Sequence, residues 1–178
     1  VQMIKMVTEQ NDRLNKMVKT LLDMSELQTV GRDDEIILDA LVDEVLEDLE
    51  PLAEGKNIRL IGKCKDITMV GSDILIYRLV YNLVENAIKY NRFGGQVTVT
   101  AYQKGKNICL SVEDTGSGIP VEKLNNVFGR FEKLDLLKQG FGLGLSICKS
   151  ILDKMGGEIW VESELGVGSC FYFLIPCN

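Results

Sequence analysis

The sequence predicts an α+β fold, a two-layer α/β sandwich in which a mixed, mostly antiparallel sheet is covered by helices on one face and preceded by a long helix. Three observations carry that expectation. Apolar residues recur at helical spacing in several stretches. Short strand-like runs lie between these stretches, several joined by Gly-containing turns. Helices alternating with hairpin-linked strands suit a single sheet with helices packed on it. At 178 residues the chain has room for one substantial core and a short appendage, not for two full domains.

The first element runs from Ile4 through Val7, Leu14, Val18 and Leu21, with Asn11 and Ser25 in the same stripe. That spacing is a heptad seam, and a polar Asn11 within it is a device for fixing register against a partner helix. An amphipathic helix lying on its own domain is the alternative. A polar break at Arg32-Asp33-Asp34 follows Gly31, which places a boundary between residues 1–31 and 32–178. A β-like run at residues 35–38 follows. Asp39 can then cap a helix with Leu41, Val42, Val45, Leu49 and Leu52 on one face, ending by Gly55. Strands are expected at 57–62 and 66–70. Ser72 or Asp73 caps an apolar helix reaching about Asn91, and Gly94-Gly95 turns the chain into strands near 96–103 and 107–113. From Asp114 to about Gly140 there is little regular pattern, and an irregular segment of this length inside a compact domain is usually functional. A helix over 142–155, the Gly156-Gly157 turn and strands near 158–163 and 169–175 complete the order.

Bulk composition excludes several functions. The formal net charge of -6 leaves no basic stripe for a nucleic-acid backbone, so any phosphate chemistry is local. Five cysteines, widely spaced and without a Cys-x-x-Cys pair, point to reduced, packed thiols of a cytosolic protein and away from zinc or thiol-redox work. The sequence has no histidine, which removes imidazole bases and ligands from its own repertoire. The apolar stretch over 74–84 is broken by Tyr77, Arg78 and Asn82 and falls short of a membrane span, and no signal peptide is seen.

Three clusters carry chemistry. Asn82, Glu85, Asn86 and Lys89 recur at three- and four-residue steps and share one face of an otherwise apolar helix. Amide oxygens suit Mg²⁺, which takes few protein ligands, and Lys89 suits phosphate as a point charge, although a solvated helix flank would look the same. Asp114-Thr115-Gly116-Ser117-Gly118-Ile119-Pro120 follows a predicted strand. Its glycines allow a tight turn and close backbone approach, and the Asp114 carboxylate can accept from an exocyclic amine such as that of adenine. A purely structural turn explains that segment equally well. Gly140-Phe141-Gly142-Leu143-Gly144-Leu145 opens a helix, where free backbone amides form an anion site.

Taken in this order, together with Phe128-Gly129-Arg130-Phe131 and Gly166-Val167-Gly168-Ser169, these clusters resemble the motif set of sensor histidine kinase catalytic domains over about residues 35–176. That domain belongs to the gyrase, heat-shock chaperone, histidine kinase and MutL superfamily and has its Bergerat-type ATP-binding fold. Residues 1–31 look like the second helix of the family's dimerisation and histidine-phosphotransfer hairpin.

The resemblance implies an ATP and Mg²⁺ site. Asn86 would hold the metal, with Asn82 and Lys89 supporting the phosphates. Asp114 would bind the adenine amine, Gly116 and Gly118 would shape the purine pocket with Ile119, and Tyr90 would stack on the base. Residues 119–141 would be the lid, carrying Arg130 and Phe131. Gly140, Gly142, Leu143, Gly144, Leu145 and Ser169 complete the implied nucleotide contacts. Glu85 would meet the incoming imidazole, with an ion pair to Lys89 as the alternative. The implied activity is transfer of the γ-phosphoryl group to a histidine on a dimerisation helix, for relay to a response-regulator aspartate. The intact protein would be a homodimer, this part being a cytoplasmic domain of a bacterial membrane sensor held there only through upstream segments.

Two features depart from the pattern. Gly129 stands where the family commonly has an acidic residue, and the acceptor histidine, expected upstream of Val1, is absent. The related hydrolysing ATPases carry a water-activating Glu where this chain has Asn82, which favours transfer over hydrolysis. A nucleotide-binding regulatory pseudokinase module and an anti-sigma-factor-type serine kinase are the competing readings; the latter normally lacks the long heptad helix.

Overall fold

The computed structural model describes residues 1–26, 33–128 and 144–177. The first helix, α1 (Gln2–Glu26), leaves Ile4, Val7, Leu14 and Val18 exposed, so the seam read from the sequence faces outward, and Asn11 is exposed with it. The expected boundary at Gly31 lies outside the described residues.

After it come β1 (Asp34–Ile37) and α2 (Leu38–Glu54). The expected Asp39 cap does not form. The cap position lies two residues earlier, at Ile37, which offers no side-chain cap, and the Leu38 amide is met instead by the Ile67 carbonyl at 2.9 Å. Leu52 also departs from expectation: it is 41% exposed, and the buried stripe of Leu38, Leu41, Val42, Val45 and Leu49 continues one turn on at Ala53. Asn57 is not the start of a strand. Its φ of 53° is left-handed, its amide bonds to the Glu54 carbonyl at 3.0 Å, and the Ile58 amide reaches back to Ala53 at 2.9 Å. This is a Schellman-type end with Asn in the left-handed position and Ile58 packed inward after it.

The strands therefore start later than expected, β2 at Arg59–Cys64 and β3 at Thr68–Gly71. They do not form a hairpin: β3 pairs antiparallel with β1 in a two-stranded sheet, while β2 runs parallel to β4. Ser72 is the cap of α3 (Asp73–Lys89), accepting from the Leu75 amide at 3.3 Å. Eight apolar residues of α3 are buried, and at about 1.5–3 kcal/mol for each large side chain they anchor the helix. Asn82, Glu85, Asn86 and Lys89 are left on its half-exposed flank.

Strands β4 (Gln96–Lys104), β5 (Asn107–Asp114), β6 (Glu158–Glu164) and β7 (Gly168–Pro176) complete a five-stranded sheet of order β2-β4-β5-β7-β6. All its pairs but β2–β4 are antiparallel, as the mixed-sheet expectation requires. Val97, Val99, Ile108, Leu110, Val112, Phe171 and Phe173 point to the helix-covered face and form the core with α2, α3 and α4 (Gly144–Met155). The opposite face carries Trp160 stacked on Tyr172 at 5.3 Å. The expected helix start at Gly142 lies outside the described residues. The segment read as irregular holds a 3-10 helix over Val121–Asn126. No helix among the described residues is long and apolar enough to cross a membrane.

Candidate functional site

Sheet register builds the site. Asp114, the last residue of β5, lies opposite Ser169 near the start of β7. Its carboxylate is buried, and Oδ1 accepts from the amides of Gly116 at 2.9 Å and Ser169 at 3.3 Å. The loop that follows is clamped on both sides. Toward α3, the Ser117 amide donates to the Tyr90 carbonyl at 3.3 Å. A Cβ on Gly116 would overlap that same carbonyl oxygen, so the sequence needs Gly there for close approach. Toward the β6–β7 hairpin, the Gly166 amide donates to the Ser117 carbonyl at 2.8 Å and the Ile119 amide to Ser163 Oγ at 2.7 Å. Gly118 passes under the Glu164 carbonyl with φ of 74°, a conformation and a clearance that only glycine combines at low cost.

These elements enclose a pocket lined by Asn86, Tyr90, Asp114, Ser117, Gly118, Ile119, Pro120, Ser169 and Phe171. Of the residues assigned to nucleotide from sequence, Asn86, Tyr90, Asp114, Gly118, Ile119 and Ser169 meet there, with Gly116 packed behind them. Phe171 was not anticipated. Its signal was strand alternation, since it lies two residues beyond Ser169 on the same face of β7. Phe128 packs edge-on against it, ring centroids 6.1 Å apart, and ties the end of the described loop to the pocket wall.

The flank of α3 is arranged differently. Glu85 and Lys89 form the i,i+4 ion pair foreseen as the alternative, at 3.2 Å and partly exposed, an arrangement worth a few tenths of a kcal/mol. Asn82 has its Nδ2 buried, and no hydrogen-bond partner meets it among the described residues. Beside it lies the Cys148 thiol, which burial pushes up to about 12 against the opposing pull of the Asn82 amide, and which donates to the Leu79 carbonyl at 3.8 Å. A thiol sulfur is a weak acceptor, so the Asn82 amide keeps capacity for a stronger one. Gly144 is the first residue of α4, and Leu145 is buried in the core. Arg130, Phe131, Gly140, Gly142 and Leu143 lie outside the described residues.

Sequence reasoning also missed the supports. Asn91 is buried; its Nδ2 donates to the Gln96 carbonyl at 3.0 Å and its Oδ1 accepts from Thr115 Oγ1 at 3.1 Å. Lys56 Nζ donates to three carbonyls at the end of α3. Both depend on how distant segments approach one another, and no local pattern announces them.

The pocket suits a flat ring carrying an exocyclic amine: Asp114 offers an acceptor at the glycine corner, and Tyr90 and Phe171 are apolar walls. The amide of Asn86 opens it toward the polar flank of α3. Among the described residues no group of three or more His, Cys, Asp or Glu side chains is placed to hold a metal ion. A Mg²⁺ brought in with phosphates needs only one or two protein ligands, which the Asn86 amide can supply.

Comparisons with known proteins give the family and the fold. The family model described as histidine kinase-, DNA gyrase B- and HSP90-like ATPase matches residues 71–178. The adaptive-response sensory kinase SasA of Crocosphaera subtropica is 37% identical over 171 residues, which are 92% of this chain and 45% of that protein. The chain thus spans about half the length of such curated relatives. Among solved structures, the catalytic domain of histidine kinase ThkA superposes with a TM-score of 0.75 at 31% identity, covering 83% of this chain and 97% of that one. ThkA solved in complex with the response regulator TrrA gives a TM-score of 0.81 at 29% identity, over 99% of this chain and 51% of that one.

Proposed function

The chain belongs to the sensor histidine kinases within the histidine kinase-, DNA gyrase B- and HSP90-like ATPase family, and from that premise we propose that residues 32–178 bind Mg·ATP and transfer its γ-phosphoryl group to a histidine on a dimerisation helix. Residues 1–31 would be the second helix of that dimerisation hairpin, which the outward apolar seam of α1 supports. The phosphorylated histidine would then pass the group to an aspartate of a response regulator, the kind of partner with which the ThkA relative was solved. The acceptor lies outside this sequence, which has no histidine. Attachment to a membrane would be made by other parts of the full-length protein.

One observation carries the proposal: Asp114, Tyr90, Ser169 and Asn86, drawn from three elements, line a single pocket. Asp114 would accept from the adenine amine, with Gly116 and Gly118 letting the backbone approach the ring. Tyr90 would cover one face of the base. Asn86 would ligate Mg²⁺, and Asn82 and Lys89 would meet the phosphates; the unmet Nδ2 of Asn82 supports that part. Bound Mg²⁺ supplies charge neutralisation across the phosphates, and the chain's residues supply position, the two things phosphoryl transfer asks for. Glu85 would orient the incoming imidazole, and its pairing with Lys89 holds the carboxylate on the open flank of α3. Arg130 and the residues around it would complete the site from the lid.

The test is transfer in trans. The protein is mixed with ATP labelled in the γ-phosphate and a separately folded hairpin bearing the histidine. An acid-labile, alkali-stable label on the hairpin is expected. A folded hairpin that stays unlabelled while ATP is bound overturns the transfer step, and steady release of phosphate without an acceptor points to a hydrolase instead.

A further inference from the structure

Lys56 lies outside the pocket and outside the motifs read from the sequence, yet it grips the end of the helix that builds the pocket. Its ammonium donates to the carbonyls of Ile88 at 3.2 Å, Lys89 at 2.6 Å and Asn91 at 3.3 Å. The first two are the last carbonyls of α3 and the third lies just beyond it, where intrahelical amides run out and the helix dipole is negative, so a cation is doubly favoured there. The main chain of Lys56 holds the same turn from the other side, its carbonyl accepting the Gly94 amide at 2.8 Å.

The gripped residues are wired to the site. Tyr90 lines the pocket, its amide bonds to the Asn86 carbonyl at 3.1 Å, and its own carbonyl receives the Ser117 amide. Asn91 bridges Gln96 and Thr115, the neighbour of Asp114. A shift at the end of α3 would therefore move the Tyr90 wall and the glycine corner together. We propose that Lys56 is a positioning residue for the nucleotide: its charge on the last two carbonyls of α3 and on that of Asn91 just beyond fixes Tyr90 and the Asp114 loop at the separation an adenine ring requires. The inference rests on the ATP reading of the pocket.

The test compares Lys56→Met, which keeps length and removes charge, with Lys56→Arg and the unaltered protein. ATP affinity is measured by calorimetry, and amide hydrogen exchange is followed in nucleotide-free protein. Lys56→Met is expected to bind ATP about tenfold more weakly, with faster exchange at Tyr90, Asn91 and Ser117 and unchanged exchange in the middle of β5. Lys56→Arg, keeping charge and donors, is expected to fall between the two. Unchanged affinity or unchanged exchange at those three amides in folded Lys56→Met overturns the proposal, as does a Lys56→Arg protein as weak as Lys56→Met. Should Lys56→Met not fold, Lys56→Gln carries the same readouts. If the unaltered protein itself binds no ATP, the nucleotide reading fails; the exchange rates then decide the grip alone, faster exchange supporting it and unchanged exchange removing it.

Discussion

The two ends of the pocket are built on opposite plans. At the glycine corner the polar groups are tied to one another through backbone: Asp114 Oδ1 takes two amides, Ser117 is held by both its amide and its carbonyl, and Ser163 Oγ bonds both the Gly168 carbonyl at 3.0 Å and Ser169 Oγ at 2.8 Å. On the flank of α3 the polar groups are side chains, one pair half-exposed and one amide donor unmet. Preorganisation lowers the ordering cost of binding. The corner that would take the base is thus set before any ligand arrives, while the flank that would take the phosphates has fewer internal bonds to hold it.

The largest effect should come from disturbing the corner's backbone. Gly168 has φ of 146°, and a Cβ there would overlap the carbonyl oxygen of Asp114. Strain and overlap together put the cost of Gly168→Ala at about 3 kcal/mol, read as a lowered urea midpoint without change of slope. A loss below about 1 kcal/mol would mean the corner is softer than its bonding suggests.

Asp114→Asn should act on binding more than on the fold. The substitution keeps an oxygen for the two amides but removes the charge from those bonds, so stability should fall by about 1 kcal/mol while ATP affinity falls roughly tenfold to a hundredfold, the weight of one or two charge-assisted bonds. Calorimetry with ATP and with adenosine should show the same fractional loss. A loss confined to ATP would place Asp114 at the phosphate end and break the comparison.

Asn86→Ala is the reciprocal case, with a smaller effect expected. Affinity for ATP with Mg²⁺ should drop about tenfold, and affinity for adenosine or for ATP in a chelator should change little. Equal loss in all three titrations would show that the Asn86 amide serves the ring and not the metal.

How much of this the sequence disclosed follows the same division between local and distant causes. The buried stripe of α3, the alternation of β4 and β5, and the glycines of the corner are local patterns, and each lies where it was read. The Asp39 cap failed because the Leu38 amide is met by Ile67, from a segment far along the chain. Asn57 read as strand because its left-handed role depends on where Ile58 packs. At the pocket, Asp114 and Tyr90 stand where their motifs led one to look, whereas Phe171 in its wall, and Asn91 and Lys56 outside it, enter only through register and helix approach. Leu52 was misplaced by a single residue, because the buried stripe continues at Ala53.

The smallest effect, and the one that sharpens the comparison most, is expected at Asn82. If its Nδ2 is held for a ligand, the nucleotide-free protein carries a buried donor that gains nothing from it. Asn82→Ala removes the unmet donor together with some packing against the Cys148 side of α4, and these terms oppose each other. The unfolding free energy without nucleotide should therefore stay within about 0.5 kcal/mol of the unaltered protein, or rise slightly, while affinity for Mg·ATP falls several-fold. Stability and binding would then move independently at this position, the signature of a group whose partner is the ligand. Should Asn82→Ala destabilise the free protein by more than about 1 kcal/mol, the amide has a partner within the chain, and the phosphate end is as closed before binding as the corner opposite.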